Sequence, residues 1–157
     1  MRNVVQVALG FATVLFTAGI ASTADAPKKG EAADAHHAHF DKCATACSDC
    51  QRACDSCAAH CAKMLSDGKK EHLKTLQTCQ DCASHCAAAA SIVARNGPFS
   101  DLICKACAEA CARCGKECEK FSDDTHMKKC VDECKKCETA CRDMLSHVPS
   151  ANKDKDK

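Results

Sequence analysis

Residues 43–61 read Cys43-Ala-Thr-Ala-Cys47-Ser-Asp-Cys50-Gln-Arg-Ala-Cys54-Asp-Ser-Cys57-Ala-Ala-His-Cys61, with six cysteines at steps of four, three, four, three and four. This is the a/d rhythm of a heptad, with cysteine where leucine normally stands. On an α-helix such positions fall on one face, so the six thiols form a single stripe. Three further segments repeat the rhythm: Cys79, Cys82 and Cys86; Cys104, Cys107, Cys111, Cys114 and Cys118; Cys130, Cys134, Cys137 and Cys141. Four amphipathic helices whose apolar stripe is sulfur predict an all-α chain, an antiparallel up-down-up-down four-helix bundle with a cysteine-lined core.

Composition supports that core. The chain has 157 residues, 18 Cys and 3% aromatic residues, and its 46% hydrophobic fraction is largely alanine and cysteine. From residue 27 onward there are only five Leu, two Ile, three Val and three Phe. That is too few large apolar side chains for an ordinary bundle of this length, so the cysteines must supply the interior. A formal net charge of +1 gives no bulk field for nucleic acid or an anionic membrane, and the absence of Trp and Tyr removes most base stacking.

Residues 1–26 read as a secretory signal peptide. Met1-Arg2-Asn3 is a short basic start, the run from Val4 to Ile20 is apolar and uncharged, and Ala24-Asp25-Ala26 is a small-x-small cleavage motif. The expectation is an exported protein, periplasmic in a bacterium, with no membrane attachment after cleavage. Residues 27–37 are a polar, histidine-containing linker, 38–148 the bundle, and 149–157 a disordered Lys/Asp tail. Helix 1 is expected from near 38 to 65, and helix 2 from about 69 to 95, stopped by Asn96-Gly97-Pro98. Helix 3 is expected from 98–101 to near 121, and helix 4 to about 147 after a Ser122-Asp123-Asp124 cap. Alternation up and down gathers His36, His39, Phe40, Val93, Ser100, Met144 and His147 at one end. Met64, Leu65, His72, Leu76, Phe121, His126 and Met127 gather at the other.

Cys-x-x-x-Cys occurs eight times without overlap, leaving only Cys79 and Cys104 outside such a pair. Side chains at i and i+4 stand ~5–6 Å apart at Cβ. Two metal–sulfur bonds of roughly 2.3 Å each nearly span that gap, so one helix can offer a metal two thiolates almost in line. A two-coordinate, all-thiolate site suits a soft d¹⁰ ion, and Cu(I) fits best. The reading is therefore a protein without catalytic turnover that binds many Cu(I) ions through all eighteen cysteines. Zinc or cadmium, held as in a metallothionein, is the metal alternative. A disulfide-stapled helical hairpin with a structural or chaperone role is the metal-free one, since exported thiols usually oxidise. Thiol redox catalysis is disfavoured by the absence of a βαβ pattern. The ferredoxin run and the haem-attachment motif are both absent.

The run Cys43-x₃-Cys-x₂-Cys-x₃-Cys-x₂-Cys-x₃-Cys61, with Cys79-x₂-Cys82-x₃-Cys86, Ile103 to Phe121, and Cys130-x₃-Cys-x₂-Cys-x₃-Cys141, resembles the cysteine-rich four-helix-bundle copper storage proteins. The resemblance covers roughly 40–145. It implies a bundle holding many Cu(I) ions on interior thiolates, able to assemble into homo-oligomers. It also implies that ions load through the end beside the start of helix 1, using Met and His. At that end the candidates are His36, His39 and Met144. His60, His85 and His126 are expected at surface or boundary positions, and Met64 and Met127 as core plugs at the far end.

Overall fold

The computed structural model describes the backbone of residues 29–147 and the side chains of residues 37–147. The signal peptide, the cleavage motif and the C-terminal tail lie outside the described residues, as does the side chain of His36. Four helices follow one another: α1 (Lys29–Ser66), α2 (Leu73–Ala94), α3 (Ser100–Cys118) and α4 (Thr125–His147). Single 3₁₀ turns, Lys70–His72 and Glu119–Phe121, bracket α2 and α3, and there is no strand among the described residues.

The start of α1 corrects the sequence expectation. The polar stretch expected as a linker is helical from Lys29. Its Glu-Ala-Ala-Asp-Ala run is rich in alanine, the strongest helix former, and has no breaker after Gly30, so propensity carries the helix back to Lys29. The other boundaries fall within a few residues of expectation.

Each helix end has a visible cause. At the C-terminus of α1, Gly68 adopts φ +86°. The Lys69 amide bonds the Met64 carbonyl and the Gly68 amide bonds the Leu65 carbonyl, both at 3.0 Å. This crossed pair is a Schellman cap, and it needs a left-handed residue at Gly68. Helix α2 ends the same way. Asn96 takes the left-handed place at φ 50°, with Gly97 N bonding Ile92 O and Asn96 N bonding Val93 O at 2.9 Å each. At the start of α4, the Asp124 Oδ1 accepts from the amides of His126 (2.8 Å) and Met127 (3.3 Å), a side-chain N-cap.

The helices pack as a ring, α1 beside α2 and α4, and α3 beside α2 and α4. The diagonal pairs meet only through side chains. Cys43–Cys104, Cys50–Cys111 and Cys54–Cys114 join α1 to α3 at 3.8–3.9 Å, and Cys86–Cys137 joins α2 to α4 at 4.0 Å. Small residues make this approach feasible. Ala44, Ala53, Ala58, Ala83, Ala89, Ala108 and Ala140 are buried beside the cysteine stripe. The larger core residues sit towards the ends: Phe40, Val93 and Met144 at one, Met127 at the other. Basic residues and Glu occupy the outer faces in pairs such as Arg113–Glu109 and Arg142–Glu138. Such exposed pairs contribute little to stability.

Candidate metal centre

All eighteen cysteines are buried and free, and none is part of a disulfide. Their sulfurs form a continuous file. Near the start of α1, Cys43 lies 3.8 Å from both Cys104 and Cys141, and Cys47 lies 3.6 Å from Cys141 and Cys137. The next level joins Cys86 to Cys107 (3.7 Å) and Cys111 (3.6 Å), with Cys82 3.8 Å from Cys111. Cys50 reaches Cys134 at 3.8 Å, and Cys54 reaches Cys130 at 3.8 Å and Cys134 at 3.9 Å. Towards the far end Cys79 lies 3.7 Å from Cys114 and Cys118. The Cys57 thiol donates to the Met127 thioether at 3.3 Å, so a methionine extends the file.

These contacts refine the expectation that one helix offers a metal two thiolates from an i,i+4 pair. The short contacts run mainly between helices, with Cys50–Cys54 at 3.9 Å the exception within one helix. Quartets whose sulfurs all lie within 4.8 Å recur along the bundle, such as Cys47/Cys107/Cys137/Cys141 and Cys57/Cys79/Cys118/Cys130. Neighbouring quartets share members: Cys50, Cys54, Cys82, Cys130 and Cys134 each belong to at least two. Shared members favour thiolates that bridge ions over separate tetrahedral sites, each of which would need four sulfurs of its own.

The thiols perturb one another. Hydrogen bonds to neighbouring thiols, chiefly Cys111, hold Cys82 well below the ordinary thiol range. The same neighbour, with three others and burial, pushes Cys134 well above it. Cys118 is lowered to about 5, first by its bond with Cys114, and Cys61 is raised to about 11, first by burial. One thiolate in a cluster is thus stabilised by its neighbours, while further ionisation is opposed until a cation arrives.

At the α1 start, Met144 is buried in the core and Phe40 closes the stripe. His39 stacks on His147 with centroids 3.7 Å apart, and its Nδ1 lies 3.7 Å from Asp143 Oδ2. Asp143 Oδ1 lies 3.9 Å from His147 Nε2. Sequence reasoning placed His39, Met144 and His147 at this end, but named only His39 and Met144 with His36 as candidate ligands and left Asp143 out altogether. Their i,i+4 spacing just beyond Cys141 was the signal available.

At the far end, Met127 is buried as expected, whereas Met64 is only half-buried and accepts from the exposed Lys69 ammonium at 3.4 Å. Methionine 64 therefore covers the rim and does not plug the core. His85 is exposed, as expected. His60 takes the expected boundary position, partly buried, and its Nε2 lies 2.6 Å from Asp124 Oδ2. Burial tends to raise the Asp124 carboxyl, but the bonds from His60 and from the Met127 and His126 amides hold it below its ordinary value. His72 is buried and stacks on Phe121 at 4.1 Å, with its Nδ1 unpartnered, as is the buried Thr75 hydroxyl.

A four-helix bundle with an interior of free thiols belongs to the class of soft-metal-binding bundles. Residues 36–146 match the copper storage protein family, and the chain belongs to that family. The chain is similar to a cytosolic copper storage protein from Streptomyces lividans holding five coppers, with 28% identity, 74% of this chain and 99% of that one covered, and a TM-score of 0.67. The same relative with ten copper equivalents gives 30% identity, coverage of 71% and 86%, and a TM-score of 0.65. The metal-free Csp3 of Bacillus subtilis gives 34% identity, coverage of 66% and 96%, and a TM-score of 0.58. No curated protein sequence matches the chain.

Proposed function

We propose that this protein stores copper as multiple Cu(I) ions on thiolates lining the bundle core, as a copper reserve or as protection against free copper. The observation that carries the reading is the interior file of eighteen buried, unbridged cysteines, sixteen of them linked through sulfur contacts of 3.6–4.0 Å. The eighteen proposed ligands are Cys43, Cys47, Cys50, Cys54, Cys57, Cys61, Cys79, Cys82, Cys86, Cys104, Cys107, Cys111, Cys114, Cys118, Cys130, Cys134, Cys137 and Cys141.

Electroneutrality sets the expected load. A buried net charge is costly in a low-dielectric interior. One monovalent ion per thiolate cancels charge site by site, whereas an isolated tetrathiolate zinc centre would leave two negative charges buried. Anaerobic titration with Cu(I) against a chromogenic chelator should therefore saturate near the eighteen thiols of the chain. Saturation at one or two equivalents would overturn the reading.

His36, His39 and Met144 are proposed to admit the ion at the start of α1, with no catalytic turnover in the process. Slower copper uptake in His39→Ala, at unchanged final load, is the expected result, and an unchanged rate would remove His39 from that role. Residues 1–26 are proposed as an export signal delivering the chain to the periplasm. Among the described residues no helix is long and apolar enough to cross a membrane. The Streptomyces relative is cytosolic, so location is decided on this chain itself. Fractionated cells should yield periplasmic protein beginning at Pro27; an intact Met1 in the cytosol would refute export. Nucleic acid is not a proposed partner. Assembly of several chains into a homo-oligomer is proposed from the family resemblance and is checked by light scattering.

A further inference from the structure

An ion held at mid-length in the file leaves through either end only by passing the sulfurs beyond it, and in a loaded chain those are occupied. The side of the bundle offers a shorter way. A groove of about 800 Å³ runs along the α2–α3 seam, and Cys82 forms part of its wall. A groove of about 690 Å³ on the α1–α2 side has no cysteine in its wall. Cys82 is only 1% exposed, lies 3.8 Å from Cys111 and belongs to at least two of the sulfur quartets. A molecule seated in the α2–α3 groove therefore lies against a shared member of the file while both ends of the bundle stay closed.

We propose that the α2–α3 groove binds a small anionic thiol, the size of a short peptide, which takes Cu(I) from the middle of the file or returns it there. This rests on the storage reading and adds an exchange route to it. The volume suits such a molecule, since small-ligand sites span roughly 300–1,000 Å³. The charge suits it too. Four cations and three carboxylates line the groove, an excess of one positive charge. Lys74 and Lys120 both lean on the buried Glu117, at 3.7 and 2.8 Å, and Arg113 pairs with Glu109 at 2.7 Å. Lys116 has no ion-pair partner among the described residues, so it is free to receive a carboxylate. Cu(I) is soft and takes few ligands, so a third sulfur can join it before another leaves. The incoming sulfur bonds the ion, the bond from copper to the Cys82 sulfur breaks, and the proton of the incoming thiol passes to Cys82. Copper stays monovalent and nothing is oxidised. His85, exposed one turn further along the same wall, offers a neutral donor beside that path.

The test uses the full chain with its core first filled anaerobically with Cu(I). Counting copper equivalents at that step separates failure of the storage reading from failure of the groove. Copper loss is then followed with reduced glutathione as the probe and a fixed amount of chromogenic chelator to trap the released ion. The rate should rise and saturate with glutathione concentration. S-methylglutathione, which keeps the charges and lacks the thiol, should compete. Lys116→Glu reverses the unpaired charge and should lower the glutathione-dependent rate roughly tenfold at sub-saturating thiol. Ala106→Trp fills the groove from an exposed position, leaves every cysteine in place and should lower that rate by at least as much. Neither variant should change the copper load or the rate without thiol. A rate that climbs linearly with glutathione and is indifferent to both substitutions would overturn the proposal.

Discussion

Asp124 shows how much one side chain can carry. It caps α4 through two amides and accepts from His60, so it joins the start of one helix to the end of another. Asp124→Ala should cost about 1 kcal/mol through the cap alone, while Asp124→Asn, an equally good cap, should keep most of that part; urea midpoints of the two variants check this. The same carboxyl predicts an acid dependence. Its folded pKa lies below the ordinary 3.8, so its contribution is fully present above that value and is lost as pH falls through the folded pKa. Stability should therefore decline below about pH 4, and Asp124→Asn should flatten that decline. Thr75 is the reverse case, a fully buried hydroxyl with no partner at a position where the α2 stripe would otherwise continue apolar. Thr75→Val should leave the metal load unchanged and raise stability by about 1 kcal/mol, since an unsatisfied buried polar group is removed. A lower melting temperature in that variant would show that the hydroxyl has a partner after all.

The helices depend on how their ends are closed more than on interior propensity. Both left-handed caps lie in short connections that turn the chain back along the bundle. Gly68→Ala places a Cβ at φ +86° and should destabilise by about 1 kcal/mol, whereas Asn96→Gly should be neutral or slightly stabilising. Thermal melts should show a lowered midpoint for Gly68→Ala and an unchanged or slightly raised one for Asn96→Gly, and equal shifts would refute the capping argument. These turns were readable in advance, because Ser66-Asp67-Gly68 and Asn96-Gly97-Pro98 are strong stop signals with nothing competing against them. The start of α1 was not. The residues before His36 have helix propensity but no apolar stripe, and a rule that reads stripes ends the helix where the stripe ends.

The bundle as a whole is built for cargo at the expense of its own cohesion. Cysteine in place of leucine forfeits roughly two carbon groups per core position, on the order of 1–2 kcal/mol each. The metal-free, reduced protein should be helical yet melt at a markedly lower temperature than the copper-loaded form, because ligation is coupled to folding. Equal melting temperatures by circular dichroism would count against copper as part of the core. Loading must also expel protons from thiols such as Cys61, which burial pushes up to about 11. A weakly buffered solution should acidify as copper is added, and apparent affinity should fall as pH is lowered. The sequence alone determined the four helices, their order and the face on which every sulfur lies, because heptad spacing projects directly onto a helix. Only the tertiary structure decided which sulfurs meet. The shortest contacts join residues tens of positions apart on different helices, and no periodicity within one helix encodes the rotation and height of its neighbour. For the same reason His60, Asp124 and His126 look unrelated along the chain, and come together only once α1 and α4 have packed.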